Sequence, residues 1–330
     1  MYRKIMGFLE AWKDSVHRKP LILQGARQVG KTYSILEFGR THYENVAYFN
    51  FETNPKLNET FEENISPDYL IPILSHIAGQ TIVTEKTLIV FDEVQLCERA
   101  LTSLKYFCEN APDYHIIVAG SLLGVAVNRA KFSFPVGKVD MKTLYPMDME
   151  EFMLALGEDD LVEQIKKCFQ TDTPLPSALH DAAMQLYRQY LVVGGMPECV
   201  MQFVQTGDYI LIRHTQDTIL TSYLNDMSKY NNLNEIKKTR LAYDNITVQL
   251  SKKNTRFQYK LIKKGGRASE FENAIEWLCL SGIVSQVYRV EQIKKPLENY
   301  RDIDAFKIYV SDLGLLCAKK DLAANDILYM

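Results

Sequence analysis

The sequence predicts an α/β fold: a parallel sheet flanked by helices, followed by a helical region and a winged-helix module. Three observations predict it. Short apolar runs alternate with helix-like segments through the first half of the chain, the pattern of a parallel sheet wrapped by helices. A glycine-rich octapeptide stands between the first of those runs and the helix after it. In the last third, the helix-like stretch Ser269 to Leu280 precedes two strand-like runs, Ile283 to Val290 and Phe306 to Val310, around a polar turn at Glu298 to Asp304.

In chain order, Ile5, Phe8, Leu9, Trp12 and Val16 recur at helical spacing between charged residues, which predicts an amphipathic N-terminal helix rather than a signal peptide. Leu21-Ile22-Leu23 reads as a buried strand. The octapeptide Gly25-Ala26-Arg27-Gln28-Val29-Gly30-Lys31-Thr32 then fits G-x-x-x-x-G-K-[ST] without a mismatch. Tyr33 to Arg40 reads as the helix that follows. Strand, loop and helix N-terminus together form an anion site of the P-loop NTPase type, because backbone N–H groups and the helix dipole favour negative charge there. Lys31 is expected to reach the β- and γ-phosphates of ATP, and the Thr32 hydroxyl to ligate Mg²⁺.

Val46 to Asn50 reads as a second strand, followed by an acidic, asparagine-rich turn over 52–64, and a helix is expected from Asp68 to Ala78. The run Leu88-Ile89-Val90-Phe91 continues into Asp92 and Glu93. Four apolar residues in a row predict a central strand buried on both faces. Two carboxylates at its carboxyl end lie where α/β proteins bind ligands. Asp92 is the candidate holder of Mg²⁺, and Glu93 the candidate group that polarises an attacking water. Ala100 to Asn110 reads as a helix and His115 to Gly120 as another strand. Ser121 follows directly, and is either a sensor of the γ-phosphate or the cap of the next helix.

From about Glu150 the character changes. Glu151 to Leu156, Leu161 to Phe169, Ala178 to Val192 and a segment including Asp208 to Tyr230 read as helices, with a sharp break at Gly194-Gly195-Met196-Pro197. The expected division is a P-loop domain over 1–150, a helical domain over 151–232 and a winged-helix-like domain over 233–330. Lys252, Lys253, Arg256, Lys260, Lys263, Lys264 and Arg267 crowd a stretch without carboxylates, with Phe257 and Tyr259 interleaved. That segment, 252–267, is either a phosphate-contacting surface for DNA, a docking face for a protein partner, or a solvated face. The expected reading helix carries Glu270, Glu272 and Glu276, which would repel phosphates.

A net charge of −3 over 330 residues does not point to a nucleic-acid coat protein. No apolar run approaches the roughly 20 residues that span a bilayer. Six scattered cysteines without a C-x-x-C pair fit a reducing cytoplasm. There is no N-K-x-D run for guanine and no L-S-G-G-Q run of the transporter type. The reading is an ATPase of low turnover that binds ATP with Mg²⁺ and uses it as a conformational switch. The alternatives are an ATP-responsive DNA-binding regulator and a nucleotide-binding scaffold without turnover. The oligomeric state stays open.

The runs RKPLILQGARQVGKT, LIVFDEVQ, IIVAGS, LYPMDMEEF, YLVVGGMPE, QLSKKNTRFQY and FKIYVSDLGLL occur in the order of a known family. Together they resemble the prokaryotic AAA+-like, STAND-related ATPases whose C-terminal half is a domain of unknown function. The resemblance implies an ATPase domain, a helical and winged-helix middle and a final PD-(D/E)xK nuclease-like domain. The nuclease-like domain is expected to be missing, since the chain stops at Met330 soon after SDLGLL, so nuclease activity is not carried over. The family often shows Gly-Arg-Val where this chain has Gly137-Lys138-Val139. A lysine lacks the planar fork of an arginine finger, which puts efficient oligomeric turnover in doubt. Arg18 is expected near the adenine side or as a plain surface residue.

Overall fold

The structure, a computed structural model, describes residues 1–120, 134–229, 233–252 and 256–329. The chain divides into two compact units, one of Arg3–Tyr145 and one of Pro146–Met330 with Met1–Tyr2.

The first unit begins with helix α1 (Ile5–Lys13), which buries Ile5, Leu9 and Trp12. Strand β1 (Leu21–Gln24) leads through the glycine-rich loop into α2 (Lys31–His42). Strand β2 (Asn45–Asn50), helices α3 (Lys56–Glu63) and α4 (Pro67–Ala78), and strand β3 (Thr87–Asp92) follow. Helix α5 (Glu98–Asn110), strand β4 (His115–Ala119) and strand β5 (Asp140–Thr143) complete it. The five strands form one sheet in the order β2-β3-β4-β1-β5, and every pairing is parallel. Parallel strands need helical crossovers, so both faces are covered and the central strands carry continuous apolar runs. Every residue of β3 is buried, as is every residue of β4. On one side Phe51, Phe61 and Phe91 meet edge to face, Phe49 lies tilted against Phe91, and Leu70, Leu74, Leu104 and Phe107 belong to the same core.

Two local expectations are corrected. Residues 52–64 are not a turn throughout, because α3 occupies Lys56–Glu63. Its apolar residues, Leu57 and Phe61, are four apart and both buried, so one helical stripe suffices to dock an otherwise polar segment. Strand β5 was not expected either. Its sequence DMKT is polar because it is an edge strand whose side chains are half-buried or exposed.

The second unit carries helices α6 (Met149–Ala155), α7 (Asp159–Gln170), α8 (Ser177–Val193), α9 (Pro197–Thr206), α10 (Tyr209–Lys229), α11 (Leu233–Leu250) and α12 (Ala268–Leu280). An antiparallel pair, β6 (Val284–Val290) and β7 (Arg301–Val310), precedes α13 (Leu313–Lys319) and α14 (Ala324–Leu328). The polar stretch ahead of Phe306 therefore joins the strand from Arg301 onward, where Arg289 and Asp302 pair across it at 2.5 Å. Helices α11, α13 and α14 have no counterpart in the sequence reading.

Two termini are set by local chemistry. Asp148 and Glu151 form a reciprocal capping box at the start of α6: the Glu151 N–H donates to Asp148 Oδ1 at 2.9 Å, and the Asp148 N–H to Glu151 Oε2 at 3.2 Å. At the other break, Gly194 ends α8 and Pro197 opens α9. The buried carboxylate of Asp312 organises this corner. It accepts from the Gly195 N–H at 2.6 Å and from the Leu315 N–H at 2.8 Å, which also caps α13. Burial pushes its pKa up to about 6 against the pull of those N–H groups. A Cβ on Gly195 would lie 1.9 Å from the Met147 carbonyl oxygen, so only glycine fits.

Candidate nucleotide site

The loop between β1 and α2 owes its shape to two glycines. Gly25 has φ of +147°, and a Cβ there would meet the Leu144 carbonyl oxygen at 2.1 Å. Gly30 takes a left-handed conformation, with φ of +89°, immediately before α2. Between them Gln28 adopts φ of +65°, an uncommon angle for a residue with a side chain, and lies exposed. Ala26 and Val29 are buried, while Arg27 is half-buried. The loop is anchored by the small apolar side chains of Ala26 and Val29.

Lys31 is buried, and its Nζ donates to the carbonyls of Gly25 at 2.9 Å and Ala26 at 2.7 Å. Burial lowers its pKa to about 8, against the opposing charges of Glu93 and Asp92. Thr32 Oγ1 donates to Asp92 Oδ2 at 2.8 Å, so the first turn of α2 meets the carboxyl end of β3. The other oxygen of Asp92 accepts from the Glu93 N–H at 2.9 Å. Glu93 itself adopts φ of +53°, which swings the chain out of the sheet into the 3₁₀ turn Val94–Leu96. Its carboxylate is held by the Gln95 side-chain amide, and burial raises its pKa.

Gly25, Ala26, Arg27, Gln28, Val29, Gly30, Lys31 and Thr32 thus lie on one loop, with Asp92 and Glu93 close beside its C-terminal end. Ser121 lies outside the described residues. Lys138 pairs with Glu109 at 2.9 Å. Arg18 stacks on Trp12, with 5.9 Å to the ring centroid, and donates to the Lys13 carbonyl at 2.7 Å.

Three neighbours were missed from the sequence. Tyr48 donates to Asp92 Oδ2 at 2.7 Å, and the Asn50 amide donates to Tyr48 at 3.2 Å. Arg3 is buried and donates to the Val29 carbonyl at 2.9 Å and the Tyr145 carbonyl at 2.8 Å, fixing the underside of the loop. No motif flags these residues, since their contacts depend on strand register and on chain separations of up to 142 positions.

Chemically, the arrangement offers a cation, a hydroxyl and two carboxylates around one loop at a helix N-terminus. Thr32 Oγ1 and Asp92 Oδ2 are hard oxygen donors 2.8 Å apart, a donor chemistry that fits Mg²⁺. Among the described residues no group of three or more His, Cys, Asp or Glu could hold a metal. In the second unit, Lys252, Arg256, Lys260, Lys263, Lys264 and Arg267 are exposed, and Lys253 lies outside the described residues. Arg256 donates to the Asp304 carbonyl, and Lys263 pairs with Glu270 at 3.3 Å.

Residues 17–153 match the family model of an AAA domain. This match to the AAA domain family takes in most of the first unit. Residues 184–326 match the model of a domain of unknown function. No curated protein matches the chain. Among solved structures, a Walker-type ATPase of Pyrococcus abyssi is 13% identical, with 97% of this chain and 95% of that chain covered and a TM-score of 0.58. The ORC2 protein of Aeropyrum pernix, in ADPNP-ADP complexes, is 12% identical over 99% and 94% of the two chains, with a TM-score of 0.45. The RuvB Holliday junction branch migration motor of Thermotoga maritima is 14% identical over 86% and 87%, at 0.34. The first of these shows a shared fold. Beyond the AAA domain, no helix among the described residues is long and apolar enough to cross a membrane.

Proposed function

We propose that the AAA domain binds ATP with Mg²⁺ and hydrolyses it slowly, and that nucleotide state acts as a conformational switch on the rest of the chain. The observation that carries this reading is the meeting of Thr32 and Asp92 at 2.8 Å, beside Lys31 and Glu93, on a loop of matching pattern. Backbone N–H groups of 25–32 cradle the phosphates, and Lys31 exchanges its carbonyl partners for phosphate oxygens. Thr32 and Asp92 hold Mg²⁺, which when bound neutralises charge on the β- and γ-phosphates. Glu93 orients the attacking water and takes its proton, help worth roughly 10²–10⁴ in rate. A carboxylate whose pKa is raised by burial is a stronger base for that task. Six free cysteines suit a reducing cytoplasm.

The domain division proposed with it is 1–150, 151–232 and 233–330. The order α11, α12, β6, β7 supports the winged-helix reading, as does the Phe257 N–H, which donates to the Phe306 carbonyl of β7 at 2.8 Å. Its outer helix face presents Glu272 and Glu276 to solvent. That face disfavours DNA, so DNA binding through 252–267 is a secondary reading.

The test is thermal melting and phosphate release with ATP and Mg²⁺ for wild type, Lys31→Ala and Glu93→Gln. Ligand at 100 times Kd stabilises by about 2.7 kcal/mol, enough to move a melting curve. The expected result is a shift in wild type and Glu93→Gln but not in Lys31→Ala, with release in wild type alone. A shift without release selects a nucleotide-held scaffold. No shift in wild type sinks the reading.

A further inference from the structure

We infer that Tyr48 is a positioning residue for the Mg²⁺ site: its hydroxyl fixes the carboxylate of Asp92 in the orientation that receives the metal's water shell. The inference rests on the nucleotide reading above and adds to it a residue that no motif contains.

The geometry is set by the sheet. β2 and β3 run parallel, with Tyr48 opposite Val90 and Asn50 opposite Asp92. Side chains two apart on a strand share a face, so Tyr48 and Asn50 lie on the side of the sheet that Asp92 uses. Ala47 and Phe49 point the other way, into the core. The Tyr48 ring is long enough to carry its hydroxyl along the strand to Asp92 Oδ2, at 2.7 Å. The ionised carboxylate only accepts, so the phenol gives the proton, and Asn50 occupies the other side of the phenol oxygen. Its amide N–H donates to the Tyr48 oxygen at 3.2 Å, which leaves the phenolic proton directed at the carboxylate. Asn50 is fixed in turn, because its Oδ1 accepts from the N–H groups of Glu52 at 2.9 Å and Thr53 at 3.0 Å.

Asp92 Oδ2 therefore accepts two O–H bonds, from Thr32 and from Tyr48, while Oδ1 is held by the Glu93 N–H. When Thr32 turns its oxygen to the metal, the Tyr48 bond is the one that remains on Oδ2. Groups that orient metal-binding carboxylates in this way typically change metal affinity 10–100-fold when removed. Tyr48→Phe deletes one oxygen and keeps the ring. Tyr48 is also 38% exposed, so the substitution leaves the fold intact.

The experiment titrates Mg²⁺ against the melting shift produced by a non-hydrolysable ATP analogue, for wild type and Tyr48→Phe, with a parallel titration of the analogue in chelator. The expected result is a half-saturating Mg²⁺ concentration raised about tenfold in Tyr48→Phe. Analogue binding without metal stays equal in the two proteins, and so does the unliganded melting temperature. Equal Mg²⁺ dependence in the two proteins overturns the inference while leaving the nucleotide reading standing. Analogue binding that ignores Mg²⁺ in wild type overturns the inference and, with it, the metal part of the nucleotide reading. A loss of metal-free analogue binding in Tyr48→Phe assigns the residue to the nucleotide instead and overturns it as well. A wild type that binds no analogue under any condition overturns the nucleotide reading and this inference with it.

Discussion

Gly25 leaves no room for a methyl group. Its added Cβ would sit 2.1 Å from a backbone oxygen, which cannot rotate away as a flexible side chain could. Gly25→Ala is therefore expected to cost about 2–4 kcal/mol in urea unfolding and to abolish the melting shift with ATP. If the variant kept both its stability and its ATP-dependent shift, the tight packing of the loop against the Leu144 carbonyl would have no energetic weight. Both glycines, Lys31 and Thr32 were legible in the sequence because the loop is built from consecutive residues. Asp92 and Glu93 were legible because two carboxylates ending an apolar run have few other uses. Tyr48 and Arg3 were not. A tyrosine in a strand and an arginine near an N-terminus carry no local signal, and they acquire their partners only when β2 registers against β3 or when Arg3 reaches under Val29.

Among the elements, the corner made by Gly194, Gly195 and Asp312 joins segments 117 positions apart in the chain. It links the end of α8, the start of α9 and the first turn of α13 through one carboxylate. Asp312→Ala would leave the buried N–H groups of Gly195 and Leu315 without that acceptor, at about 1–3 kcal/mol each. The loss is offset in part because a buried carboxylate is itself costly. The net expectation is a fall of about 2–4 kcal/mol confined to the second unit. The two tryptophans suit the measurement, since Trp12 lies in the first unit and Trp277 in the second and both are buried. The unfolding transition seen by Trp277, read in a Trp12→Phe background, should move, and that seen by Trp12 should not. Strands β1, β3 and β4 could be read from sequence because each carries a continuous apolar run buried on both faces. The edge strand β5 and the acidic helix α3 could not, since neither needs more than one apolar stripe.

Over the whole molecule, two buried groups, one in each unit, respond to acid in opposite senses. His115 is buried in the first unit beside Tyr43, with 2.6 Å between the hydroxyl and Nδ1, and burial lowers its pKa to about 4. The unfolded chain binds that proton near pH 6.5, so this contribution to stability is whole above 6.5 and is lost as pH falls toward 4. Asp312 in the second unit runs the other way. Its folded pKa of about 6 lies above the unfolded value of 3.8, so its cost is whole above pH 6 and fades as pH falls toward 3.8. Lowering the pH from 7 to 5 should therefore reduce the stability reported by Trp12 relative to that reported by Trp277. Substituting His115→Gln should flatten the first trend and Asp312→Asn the second. Parallel acid responses in both reporters would show that neither buried group governs its unit.

The strand order has a bearing on how the protein is made. β1, which leads into the phosphate loop, pairs with β4 and β5 and with no earlier strand. Leu21 must wait for Ile117 on one side and Asp140 on the other. At about 5–20 residues per second, a ribosome takes on the order of 10 s to deliver those partners. Throughout that interval the nascent chain carries an apolar strand and a complete glycine-rich motif without the sheet that shapes them. Nucleotide cannot assist folding in that window, and a chaperone that shields Leu21-Ile22-Leu23 can.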